Sequence, residues 1–328
     1  MIVGRPAWRL ASALPLALLA IAILACSPAA AREPKLKVVA TVAPLADLVR
    51  QIAGDRVELV QMIPDGTDSH TFEPRPSDAR FLQEADLIVL NGMHLETPTQ
   101  RMADANKRAD TPYLMLGDNT ITEQEWVFDF SFPASEGDPN PHLWLNVPYA
   151  RNYAQLVSTQ LAQMDPENAD YYQAHFATLA GRMDQLDQAI FASVATVPES
   201  NRKLLTYHDS WAYFARRYGL VVIGAIQPSD FAEPSPREVA ALIDQVRAYH
   251  LPVIFGSEVF PSRVLEAIGR ETGAHYVDTL RDDDLPGAPG APEHTYLGLM
   301  LEDMRTMMSS LGGRVDMFDG LDPSPPSS

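Results

Sequence analysis

Between residues 165 and 197 the chain reads DPENADYYQAHFATLAGRMDQLDQAIFASVATV. Tyr172, Phe176, Leu179, Met183, Leu186, Ile190, Val194 and Val197 follow one another at steps of 4, 3, 4, 3, 4, 4 and 3. That is one apolar stripe, and it predicts a helix of about 30 residues, roughly 45 Å at 1.5 Å per residue. Pro166 suits the first turn, where its missing N–H costs nothing. On either side, short apolar and β-branched runs alternate with helical spacing. Before the stripe they fall at 36–41 (LKVVAT), 57–63, 86–90 (DLIVL) and 113–116. After it they fall at 203–207 (KLLTY), 220–224 (LVVIG), 252–255 (PVIF) and 275–277. Such alternation predicts parallel sheets covered on both faces. The expected fold class is α/β: two lobes, each with a mostly parallel sheet flanked by helices, joined by one long linking helix. The boundaries read as an N-terminal lobe over 36–165, the linking helix over 166–197 and a C-terminal lobe over 198–312. The Asp-, Pro- and Ser-rich tail over 313–328 reads as disordered.

The chain has 328 residues, 46% hydrophobic and 21% charged, which excludes wholesale disorder. A net charge of −18 gives no basic footprint for nucleic acid. Arg5 and Arg9 precede an uncharged apolar run over 10–25, short for a membrane span and suited to an export signal. Ile23-Leu24-Ala25-Cys26 resembles a lipobox, which makes 1–25 a lipoprotein-type signal peptide and 26–35 a tether. Ala29-Ala30-Ala31 is the competing site for ordinary cleavage. The mature protein is therefore expected outside the cytoplasm, either lipid-anchored through Cys26 or periplasmic. Removing residues 1–25, which carry two Arg and no acid, takes the charge from −18 to −20. Cys26 is the one cysteine, which excludes a disulfide framework and a Cys-based zinc site in a monomer.

Four metal-capable residues sit just beyond expected strand ends: His70, His142, His208 and Asp278. Two come from each half, and open α/β sheets bind ligands at the carboxyl ends of their strands. Three neutral imidazoles and a carboxylate suit a tetrahedral, borderline divalent metal. His94 and Glu96 read as surface residues. Asp209 reads either as an acceptor orienting a ligand imidazole or as part of a helix cap at Asp209 or Ser210.

The segments VVATVAPLADLVRQIAGDRVEL (38–59), PDGTDSHTFEPRPSDARFLQEADLIVLNG (64–92), DPNPHLWLN (138–146), TYHDSWAYFARRYGL (206–220), HYVDTL (275–280) and TYLGLM (295–300) resemble the zinc- or manganese-binding substrate-binding proteins of ABC importers. The resemblance covers about residues 36 to 312. It implies two lobes, a rigid linking helix and one metal in the cleft, delivered to a membrane permease, with His70, His142, His208 and Asp278 as ligands. The chain is expected to be a monomer, and four protein ligands without an HExxH motif point away from catalysis. Many zinc members carry a His-rich acidic loop before the second ligand, whereas residues 123–141 here are acidic without His. Manganese relatives typically replace the third His with a carboxylate. Here that position reads Tyr207-His208-Asp209, so Zn2+ is the expected ion and Mn2+ the alternative. Two further classes compete: a secreted zinc hydrolase, for which Glu258 is the base to nominate, and an adhesin.

Overall fold

The computed structural model describes residues 1–4, 35–227, 234–257 and 262–325. The apolar core of the leader, Cys26 and Glu258 lie outside the described residues. In the first half, β1 (Leu36–Ala40), β2 (Val57–Gln61), β3 (Leu87–Leu90) and β4 (Tyr113–Met115) pair in parallel in the order β2-β1-β3-β4. All of β3 is buried, as a continuous apolar run in a doubly covered sheet must be. The crossovers carry α1 (Ala43–Ala53), α2 (Ala79–Glu84) and α3 (Thr97–Asn106).

Two antiparallel neighbours follow, α4 (Val147–Met164) and α5 (Ala169–Val194), with a 3-10 turn at Pro166–Asn168 between them. The long stripe forms α5, and Tyr172, Leu179, Met183, Leu186, Ile190 and Val194 are buried along it. The sequence reading did not foresee α4. Its signal is present, since Val147, Ala150, Ala154, Val157 and Leu161 recur at helical spacing and are all buried.

The second sheet repeats the winding of the first. β5 (Lys203–Thr206), β6 (Val221–Ala225), β7 (Val253–Ser257) and β8 (His275–Leu280) are parallel in the order β6-β5-β7-β8. α6 (Ala212–Tyr218), α7 (Pro236–Tyr249) and α8 (Arg263–Thr272) make its crossovers. α7 opens on a reciprocal cap, in which Glu238 N–H donates to Ser235 Oγ and Ser235 N–H donates to Glu238 Oε2. In each sheet the winding reverses at the first strand, β1 or β5. The carboxyl ends of those strands are where such folds leave room for a ligand.

The last helix, α9 (Tyr296–Ser310), does not stay with the second sheet. Its first N–H, from Tyr296, donates to Asp47 Oδ2 on α1 at 2.7 Å, and the Tyr296 hydroxyl donates to Trp144 O at 2.9 Å. Buried residues of β1, α1, α4, α5, α6 and α9 consequently form one contiguous apolar cluster. The tail differs from its expectation as well. Phe318 is fully buried, Thr295 Oγ1 donates to Pro323 O at 2.6 Å, and Arg305 Nη2 donates to Phe318 O at 2.7 Å. Val315, Met317 and Leu321 pack against the same core beside Phe318.

Glu96 is buried, not at the surface. Its carboxylate accepts from Thr41 Oγ1 at 2.6 Å and from the N–H groups of Asn91 and Gly92 at 2.7 and 3.1 Å, tying the ends of β1 and β3 together. Burial pushes its pKa from 4.5 to about 7 against those three donors. Between these two values the folded chain holds a proton that the unfolded chain has lost, so this group's contribution to stability falls as pH rises through the window. In Glu96→Gln that contribution is removed. Urea unfolding from pH 5 to 7 should show the wild-type protein losing stability relative to the variant, by up to about 1.4 kcal/mol per pH unit. Parallel pH profiles would show that Glu96 does not titrate in this window.

Candidate metal centre

His70 lies in the irregular segment after β2, His142 immediately precedes a 3-10 turn at Leu143–Leu145, and His208 follows β5. The fold brings these three together: one ligating nitrogen from each lies within 4.8 Å of the others. His142 Nε2 is 3.2 Å from His70 Nε2 and 3.0 Å from His208 Nε2. Nitrogens at 2.0–2.1 Å from one tetrahedral ion stand about 3.3 Å apart, so the spacing matches a shared cation. His142 and His208 are buried, and His70 is half-buried.

Two rings are aimed by amide oxygens. His142 Nδ1 faces Asn140 Oδ1 at 2.8 Å, and His208 Nδ1 faces Gln227 Oε1 at 2.7 Å. Asn140 Nδ2 donates to Asp209 O at 2.7 Å, which fixes Oδ1 toward the imidazole. An amide oxygen only accepts, so both rings donate from Nδ1, and each in its neutral form turns the Nε2 lone pair inward. Asn140 and Gln227 were not singled out from the sequence. Asn140 had a signal two residues before His142, and Gln227 stands just past β6. Asp209 plays neither of its expected roles. Its Oδ2 accepts from Ser131 N–H at 2.9 Å, and the residue preceding α6 is Trp211.

Asp278 is not with the histidines. It is exposed and lies within β8, because that strand runs on to Leu280 after a register irregularity against β7 between Phe255 and Ser257. The sequence reading ended the strand at 277, three residues early. The carboxylate near the cluster belongs to Asp282: its Oδ2 is 3.9 Å from His208 Nε2, and the residue is buried. The run Asp282-Asp283-Asp284, just beyond the true strand end, was its overlooked signal.

Burial lowers the pKa of His70 and His142 well below 6.5, and the neighbouring His208 lowers both further. Burial also opposes charge on His208, but Asp282, Asp283, Gln227 and Asp68 together outweigh it and raise its pKa. Asp283 is pushed to about 7 by burial and by Asp282 beside it. Buried carboxylates that repel one another next to three inward lone pairs make a place where a divalent cation is stabilised.

Residues 38–310 match the family model described as zinc-uptake complex component A, periplasmic. The metal ABC transporter substrate-binding lipoprotein FimA of Streptococcus parasanguinis is 30% identical over 257 residues, 76% of this chain and 82% of that one. The manganese ABC transporter substrate-binding lipoprotein PsaA of Streptococcus pneumoniae is 29% identical over 297 residues, 88% of this chain and 94% of that one. Among solved structures, the periplasmic zinc binding protein TroA of Treponema pallidum superposes with a TM-score of 0.76 at 26% identity, covering 84% of this chain and 99% of that one.

Removing an orienting amide frees a ring to rotate. Gln227→Ala should therefore weaken divalent metal affinity by about 10- to 100-fold, with the fold intact by circular dichroism. Competition titration measures it, and an unchanged affinity would remove Gln227 from the site.

Proposed function

The chain belongs to the zinc-uptake complex component A family, the substrate-binding proteins of metal ABC importers, and from that premise we propose that it captures Zn2+ outside the cytoplasm and delivers it to a membrane permease. The ligands in this reading are Nε2 of His70, His142 and His208 and a carboxylate oxygen of Asp282. The single observation that carries it is the convergence of three Nε2 atoms at 3.0 and 3.2 Å. Asp282 replaces Asp278 as the acidic ligand, since an exposed strand residue is no partner for a buried cluster. The protein acts as a carrier and not as a hydrolase: a catalytic zinc site keeps a fourth position open for water, and here four side chains are available to fill the shell.

Relatives named for manganese and for zinc both resemble the chain, so the ion is argued from donor chemistry. Three imidazole nitrogens suit zinc, and carboxylate and carbonyl oxygens suit manganese. Intrinsic affinity also rises from manganese to zinc along the first-row series. Zinc should therefore bind at least about 100-fold tighter than manganese, roughly 2.7 kcal/mol. Competition titration at fixed pH decides it, and equal or tighter manganese binding would hand the site to Mn2+.

The acidic ligand is tested by a pair of variants. Asp282→Ala should weaken zinc at least about 100-fold, whereas Asp278→Ala should stay within roughly threefold of wild type. The opposite result would return the role to Asp278.

The pH dependence has a stated sign. His70 and His142 are already neutral below the ordinary imidazole range, so they give up no proton to the ion. His208, with its raised pKa, does. Zinc affinity should begin to fall with decreasing pH above 6.5, on the His208 ring first. Isothermal titration in buffers of different ionisation enthalpy reads the released proton. A pH-independent affinity between 6 and 8 would contradict the assignment.

A further inference from the structure

The acidic run after β8 does more than present one carboxylate. Asp284 accepts from Gly66 N–H through Oδ1 at 2.8 Å and Oδ2 at 2.7 Å. Asp283 Oδ2 accepts from Ser69 N–H at 3.2 Å. Both donors belong to the loop that carries His70, and both acceptors belong to the segment after β8. The same segment is tied to the turn that follows His142, because Trp144 Nε1 donates to Asp282 O at 2.7 Å. Three consecutive aspartates of the second half thus touch every part of the cluster: one faces His208, and two hold the backbone beside His70.

The His142 and His208 rings are aimed by the amide side chains of Asn140 and Gln227. His70 sits in an irregular segment whose backbone shape comes from Asp68 Oδ1, which accepts from His70 N–H at 2.9 Å, and from these cross-lobe bonds. Gly66 has φ +73°, a left-handed conformation that glycine adopts without a Cβ penalty. Charged acceptors on backbone N–H groups make the stronger class of hydrogen bond, and these are partly or fully buried. A movement of the whole 66–70 loop away from the other two histidines breaks them.

We propose that Asp283 and Asp284 are positioning residues that latch the His70 loop across the cleft and set how fast the bound divalent ion leaves. The inference rests on the metal-site reading above. It assigns the two residues no contact with the ion: they act through His70. A latch of this kind acts mainly on dissociation, because the loop must open for the ion to escape whereas capture begins from the open loop.

The test is chelator-triggered release of Zn2+ from the loaded mature protein, followed by stopped flow, with association measured separately. Asp284→Ala should release zinc at least about tenfold faster, about 1.4 kcal/mol in the barrier, while the association rate changes less than roughly threefold. Asp284→Asn keeps one oxygen acceptor for Gly66 N–H and should release at a rate between wild type and Asp284→Ala. Equal release from Asp284→Ala and wild type would overturn the latch, as would identical rates for the Asn and Ala variants. Hydrogen exchange on the zinc-loaded wild-type protein covers a variant that fails to fold. The Gly66 and Ser69 amides should be protected well beyond their loop neighbours, and fast exchange at both would overturn the proposal. A wild-type protein that binds no zinc would instead refute the metal-site reading, so the two failures are distinguishable.

Discussion

Three imidazole lone pairs aimed at one point, with neighbouring nitrogens 3.0 and 3.2 Å apart, are the constraint on which the rest of the site depends. In a protein interior such an arrangement is repulsive by itself and becomes favourable around a cation. Each ring must therefore be neutral, in a fixed tautomer and held from behind. Burial keeps His70 and His142 uncharged, and the amide oxygens of Asn140 and Gln227 fix the tautomers of His142 and His208. The acidic side chain of Asp282 then supplies negative charge that a divalent ion neutralises.

The architecture that delivers these groups is a repeated winding. Each sheet reverses direction at its first strand, and His208 emerges directly from the carboxyl end of one such strand. The two sheets do not stand as independent cores. α4 and α5 form a paired spine, and α9 crosses back to lay Tyr296 against Asp47 and Trp144. One apolar cluster joins this spine to one face of each sheet, and the opposite face of each sheet packs in a smaller cluster of its own. A shared core limits large hinge motion between the halves, because separating packed apolar surface costs about 25 cal/mol per Å². Exchange of the ion then falls to smaller elements at the cleft: the His70 loop and the acidic run that holds it.

Much of this was legible in the sequence, for identifiable reasons. The stripe of α5 is long and regular, and the alternating runs are short and apolar, so period alone separates helix from strand there. His70 and His208 announced themselves as polar residues beyond strand ends, and His142 through the segment DPNPHLWLN. Asp278 misled because β8 continues as an edge strand through polar residues, which hydrophobic pattern does not register. Glu96 misled because a carboxylate gathering three donors in the interior looks, in one dimension, like any charged loop residue. Asn140, Gln227 and the pair Asp283 and Asp284 act through contacts made across the fold, and no local pattern encodes those. The tail was misread because composition cannot reveal that Phe318 finds a fully buried seat.

The central claim is that one zinc ion binds between His70, His142, His208 and Asp282. The most direct measurement is an anomalous difference map at the zinc absorption edge from crystals of the stoichiometrically loaded protein. A single dominant peak is expected, with the three Nε2 atoms and an Asp282 oxygen each about 2.0–2.2 Å away. A peak elsewhere in the chain, or one whose carboxylate ligand is Asp278, would contradict the account.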